Sequence, residues 1–190
     1  MAIGGNMLKK EKKKKLDSLP KIHRRLFKIW SEKIRDRSKN TCEYCGIKKG
    51  EMGKNGKIIT KLDSHHYISR IKKDSYLKWD LENGVCACSG CHKFSEDSFH
   101  RSPVTTMNWL IKNHPERFNY ILEHFDDKVD IDNRFILSEI ERCLLNNESL
   151  DFAKLKQIEK EFPRELKKPT TTTTTTKIDI DLAFQEIVQL

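Results

Sequence analysis

The chain has 190 residues, of which 36% are apolar and 34% charged, and a formal net charge of +9. This length accommodates one domain of ordinary size, or a small domain with extensions. No apolar run is long enough to span a membrane, and the opening residues, followed by lysines, lack the apolar stretch of a secretory signal. The charge is uneven: residues 1–100 hold 24 basic and 12 acidic side chains, residues 101–190 hold 13 and 16. A basic half of this kind suits a polyanion, most simply nucleic acid. The expected location is the cytoplasm, where the six cysteines point to metal rather than disulfide.

In chain order, residues 1–15 form a basic arm, with six lysines and one glutamate in residues 9–15. Such density of like charge predicts disorder in isolation. Leu19, Ile22, Leu26, Phe27, Trp30 and Ile34 recur at helical spacing, which predicts a helix over 20–37. Its other face carries Lys21, Arg24, Arg25, Lys28 and Lys33, a surface suited to phosphates. Residues 51–57 read as a loop or hairpin tip, 58–62 as a short β-branched strand leading into His65 and His66, and 84–86 as a second strand. Residues 92–99 read as a helix.

Ser102-Pro103 is a helix start, and His114-Pro115 breaks the helix that it opens. Further helices are expected near 133–145 and 150–162. His114 and His124 have no ligand spacing around them and are read as structural or exposed. Seven threonines at 170–176 mark a linker, since the run is β-branched and buries no apolar surface. The organisation is therefore an arm (1–15), a core with its N-terminal helix (16–112), a helical region (113–162), a linker (163–177) and a terminal docking peptide (178–190) that would meet a protein partner.

Two Cys-x-x-Cys pairs, Cys42/Cys45 and Cys88/Cys91, each adjoin a turn-forming glycine. Four thiolates in this pattern close a tetrahedral structural zinc site. Cys86 is one residue out of step, in the second strand, and is expected to be buried and inert. The 42 residues from 46 to 87 are too many for a plain zinc-ribbon loop, so something folded lies between the pairs. That interval holds His65, His66 and Asn83, none of which zinc requires. Phosphodiester hydrolysis needs a base, a divalent ion and a polar group that holds the base in its working tautomer. Histidine on a strand, metal ligands on the adjoining helix and an asparagine in the connecting loop can supply all three.

The Cys pairs, the His65-His66 dipeptide, Asn83 five residues before Cys88, and Cys91-His92 resemble the HNH (His-Me finger, ββα-metal) endonucleases. The likeness covers about residues 28–110. His66 through Arg70, Trp79-Asp80 with Asn83, and Cys-x-x-Cys-His are more narrowly similar to the phage group that includes the NinG recombination endonucleases. The resemblance implies an α+β fold: a zinc-stabilised ββα-metal core with an N-terminal helix and an α-helical C-terminal region. It implies a metal-dependent DNA endonuclease, phage-encoded, acting in recombination, DNA processing or packaging. His66 matches the general base, His65 a ligand of a catalytic divalent ion (Mg2+, Mn2+ or similar), and Asn83 the middle residue, which positions loop and base or touches the ion. His92 matches the last histidine of the motif. About one helical turn is inserted after it, so His100 and Glu96, at i+4 from His92, compete as the next ligand. Arg70, Lys72 and Lys73 would contact phosphates. The rival readings are a zinc-containing nucleic-acid-binding module without catalysis, and an adaptor. The His-His dipeptide argues against the first, because binding alone does not need it.

Overall fold

The computed structural model describes residues 16–68 and 75–164. The basic arm, the terminal peptide, nearly all of the linker, and Arg70, Lys72 and Lys73 lie outside the described residues. The fold is α+β: a long helix, a two-stranded antiparallel sheet, and four further helices. No helix among the described residues is long and apolar enough to cross a membrane.

Helix α1 runs Leu19–Arg37 with Pro20 in its first turn, where a missing N–H is no loss. It buries Ile22, Leu26, Trp30 and Ile34, one residue per turn on a single stripe. That stripe lies on strand β2 (Gly84–Ala87), whose four residues are all buried. Gly84 lets α1 come this close. A Cβ there would stand 2.3 Å from Ile34 Cδ1 and 2.8 Å from Trp30 Cζ2. Polar ties hold the same contact: the Trp30 indole donates to the Asp80 carbonyl at 2.9 Å, and Arg37 donates to the carbonyls of Leu81 and Gly84. The opposite, basic face is only partly available for phosphates. Arg25 grips Glu141 through two bonds and Lys33 donates to the Leu145 carbonyl, so both fasten α1 to a later helix.

Strand β1 is Asp63–His66, paired with β2 in the register Asp63↔Ala87 to His66↔Gly84. This corrects the strand expected at 58–62. The partner ladder stops at Ala87 because Cys88 begins the second cysteine turn, so nothing remains for Leu62 to pair with. Residues 50–59 instead fold on themselves, with Gly50 and Ile59 donating to the carbonyls of Ile59 and Glu51.

The helix expected over 92–99 is also corrected. A five-residue π-helical turn, Gly90–Phe94, ends where Ser95 turns extended (ψ 157°). The chain then doubles back, with Phe99 N–H donating to the Cys91 carbonyl and His100 N–H to that of His92. Phe99 anchors the reversal, buried against Tyr44, His65 and Trp109.

Helices α2 (Pro103–Asn113) and α3 (Pro115–Glu123) meet at the expected His114-Pro115 break. Helix α4 (Arg134–Asn146) is capped by Asn133 and α5 (Phe152–Glu161) by Asp151, each accepting a backbone N–H in the first turn. Ile136, Leu137, Ile140 and Leu144 of α4 and Leu155 of α5 close the same hydrophobic core that α1 and β2 begin. His114 lies against Trp109 and His124 against Tyr76, Tyr120 and Asp127.

Candidate functional site

The four sulfurs of Cys42, Cys45, Cys88 and Cys91 lie within 4.8 Å of one another. Zinc–sulfur bonds of about 2.3 Å imply tetrahedral sulfur–sulfur edges of roughly 3.8 Å. The Cys45–Cys88 edge is 3.8 Å. Gly46, at φ +76°, makes the first turn possible and donates to the Cys42 carbonyl at 2.8 Å. The crowded thiols already separate. Hydrogen bonding from Cys91 draws the Cys42 thiol down, and the same contact pushes Cys91 up. These residues fit a structural zinc. Cys86 is absent from the group; it is buried in β2, where burial pushes its thiol up to about 11.

Beside this cluster stands a second. One ring nitrogen each from His65, His92 and His100 lies within 4.8 Å of the others. His92 Nε2 and His100 Nε2 are 3.1 Å apart. Metal–nitrogen bonds of about 2.0–2.1 Å give edges of roughly 2.8–3.0 Å in octahedral and roughly 3.3–3.4 Å in tetrahedral geometry, which bracket this distance. Three imidazoles without a carboxylate suit a transition ion such as zinc, nickel or iron better than magnesium. The doubled-back chain is what brings His100 to His92, so His100 rather than Glu96 joins the group. Glu96 lies exposed in the intervening turn and outside the cluster.

Asp63 orients this site, and sequence reasoning passed over it. Its Oδ2 lies 3.1 Å from His92 Nδ1. A carboxylate only accepts, so Nδ1 carries the hydrogen and Nε2 presents its lone pair toward His100. Burial would raise the Asp63 carboxyl, but the bond from His92 and the charge of Lys61 outweigh it and hold it low. The signal was available: Asp63 is two residues before His65 on a strand and therefore shares its face. Burial, then the neighbouring His92 and His100 charges, push His65 down to about 3, so the ring is neutral and able to donate its lone pair. Burial also lowers His92, against the pull of Asp63.

His66 points to the other side of β1. Its ring stacks on Trp30, with centroids 3.8 Å apart and planes 7° from parallel, and on Phe27 beyond. Its Nε2 lies 2.9 Å from the Lys78 carbonyl. A carbonyl only accepts, so Nε2 carries the hydrogen and Nδ1 the lone pair. Asn83 does not reach the imidazole cluster. It is fully buried, its Oδ1 accepts from Ile68 N–H, and its amide donates to the carbonyls of Ile68 and Leu77. Asn83 thus pins the segment whose next carbonyl holds His66, as a positioning residue.

His65, His66, His92 and His100 all line one open cleft of about 750 Å³. Its walls also carry Ser31 and Arg35 from α1, together with Lys61 and Lys93. Asp63 is the one carboxylate among the lining residues. The cleft is therefore cationic before any ion is added. No family model, curated protein or solved structure matches the chain.

Proposed function

We propose that this protein is a metal-dependent DNA endonuclease of the HNH type, with residues 63–100 as its ββα-metal core. One observation carries the reading: three imidazoles converge on one point, and a fourth, His66, whose tautomer is set by a backbone carbonyl, lines the same cationic cleft from the other face of β1. A metal-free binding surface has no need of this arrangement. A divalent ion held by His65, His92 and His100 would stabilise charge on the phosphate and on the departing oxygen. His66 Nδ1 accepts the proton of the attacking water, and the Lys78 carbonyl steadies the resulting imidazolium through Nε2–H. Trp30 and Phe27 keep the ring in plane. The resemblance to the phage group favours a role in recombination, DNA processing or packaging.

Incubating the zinc-loaded protein with supercoiled plasmid and a series of divalent ions tests this. Wild type should nick or linearise the plasmid. His66→Ala should lose roughly 10²–10⁴-fold in rate with zinc content and DNA affinity unchanged, as expected for a positioned base. His65→Ala should regain part of its activity with added manganese, whereas His66→Ala should not. Plasmid left intact under every ion, yet retarded in a gel, would replace this reading with that of a zinc-containing nucleic-acid-binding module.

A further inference from the structure

The α1 wall of the cleft holds a guanidinium that neither the imidazole cluster nor His66 uses. Arg35 is half-buried and lines the cleft together with the histidines. Arg25, Arg117 and Arg142 are committed to carboxylates: Arg25 to Asp17 and Glu141, Arg117 to Glu43 and Glu82, Arg142 to Glu139 and Glu148; Arg101 and Arg134 donate to backbone carbonyls and line no part of the cleft. Among the described residues Arg35 makes no ion pair. Its bond is to a neutral group, donated by one terminal nitrogen to Ser31 Oγ.

That bond is part of a chain that aims the side chain. Ser31 Oγ donates to Ser64 Oγ at 3.0 Å, and Ser64 Oγ donates to the Ser31 carbonyl at 2.9 Å. Ser64 lies between Asp63 and His65 on β1, so the guanidinium is referenced to the strand that carries the imidazoles. A single terminal nitrogen is used, which leaves further N–H groups of the planar fork for another acceptor.

We propose that Arg35 is a phosphate-binding residue of this cleft, gripping backbone phosphate oxygens of the nucleic acid from the α1 side. The inference rests on the nuclease reading above and adds to it the group that holds the strand against the imidazoles. Guanidinium and phosphate match as a two-point, charge-assisted pair, and the partly desolvated setting strengthens it. Lys61 and Lys93 are point charges on the cleft wall and attract without fixing orientation. Arg35, held by Ser31, fixes where the strand lies.

The test is steady-state cleavage of a labelled duplex by full-length wild type, Arg35→Ala and Arg35→Lys over a range of salt. Arg35→Ala should raise KM roughly tenfold or more, in keeping with loss of a charge-assisted bond, with kcat little changed. The slope of log kcat/KM against log salt should flatten by about one phosphate contact. Arg35→Lys should restore the slope but only part of the affinity, which a structural role for the Ser31 bond would not produce. Zinc content and urea stability of each variant report folding separately. Cleavage by wild type with KM and salt slope unchanged in Arg35→Ala overturns the inference alone. No cleavage by wild type under any ion overturns the nuclease reading, and this inference with it.

Discussion

Gly84→Ala is a one-carbon test of how α1 seats on the sheet. Carbon atoms in packed interiors sit about 3.5–4.0 Å apart. The added Cβ would lie 2.3 Å from Ile34 Cδ1, 2.7 Å from Ile34 Cγ1 and 2.8 Å from Trp30 Cζ2. The shortfall is about 1–1.5 Å against the contact distance. Ile34 and Trp30 are both 0% exposed, so neither can swing into solvent. Overpacking of this kind costs about 1–3 kcal/mol, and two blocked side chains put the cost at the upper end. With a urea slope of about 1–3 kcal/mol/M, the midpoint should fall by roughly 1–3 M. The assay is equilibrium urea unfolding at fixed zinc. Ile34→Val alone should cost about 0.5–1.5 kcal/mol. It removes the nearest clashing atom, so the double variant should cost less than the two single changes added together, by about 0.5 kcal/mol or more. Wild-type stability in Gly84→Ala, or strict additivity in the double variant, would refute the argument that Gly84 sets the approach of α1. Trp30 also stacks on His66, so the shift should reach the cleft and, under the proposed nuclease reading, slow cleavage.

If the histidine cluster binds an ion as proposed, Asp63→Asn should lower its affinity for that ion roughly 10–100-fold, as loss of an orienting carboxylate does, and competition with a fluorescent chelator measures it. The His65 ring is held below its unfolded value, so the unfolded chain binds more protons between about pH 3 and 6.5. Stability with the histidine cluster metal-free should therefore fall as pH drops through that window, and His65→Gln should show less of this acid loss in paired urea titrations. Cys42→Ser or Cys91→Ser should unfold the core, since zinc binding and folding are coupled in such sites; circular dichroism and bound-zinc assays check this, and a folded Cys91→Ser chain with stoichiometric zinc would refute the four-cysteine assignment.

Much of this architecture was legible because it depends on local spacing. The stripe Ile22, Leu26, Trp30, Ile34 repeats every helical turn, and two Cys-x-x-Cys turns carry their own glycines. Features that depend on the chain returning to itself were less so. Nothing local to residues 92–100 announces that the helix stops at Ser95, because Phe99 packs on Tyr44, far away in sequence, and on Trp109 of the following helix. With that reversal unseen, an i+4 rule kept Glu96 level with His100. β-Branching at 58–60 is a local strand signal, whereas the true limit of the strand is set by where its partner ends. Asn83 was legible as a positioning group, but its targets, Ile68 and Leu77, were not. The stacking of Trp30 on His66 was hidden because the same residue reads simply as core.

Cys91 and His92 are neighbours in sequence, and each belongs to a different cluster. One peptide bond therefore spans the two candidate metal sites. Closure of the sulfur cluster around zinc would also fix the start of the segment that carries His92 and, through the returning chain, His100. Demetallation should run in two stages. A mild chelator would strip the histidine cluster reversibly, whereas a strong one that reaches the thiolates would take the fold with it. Protein purified in excess EDTA and then resupplied with magnesium alone would have lost the ions of both candidate sites, and with the thiolate site its fold, so an absence of activity in that preparation says nothing about the histidines.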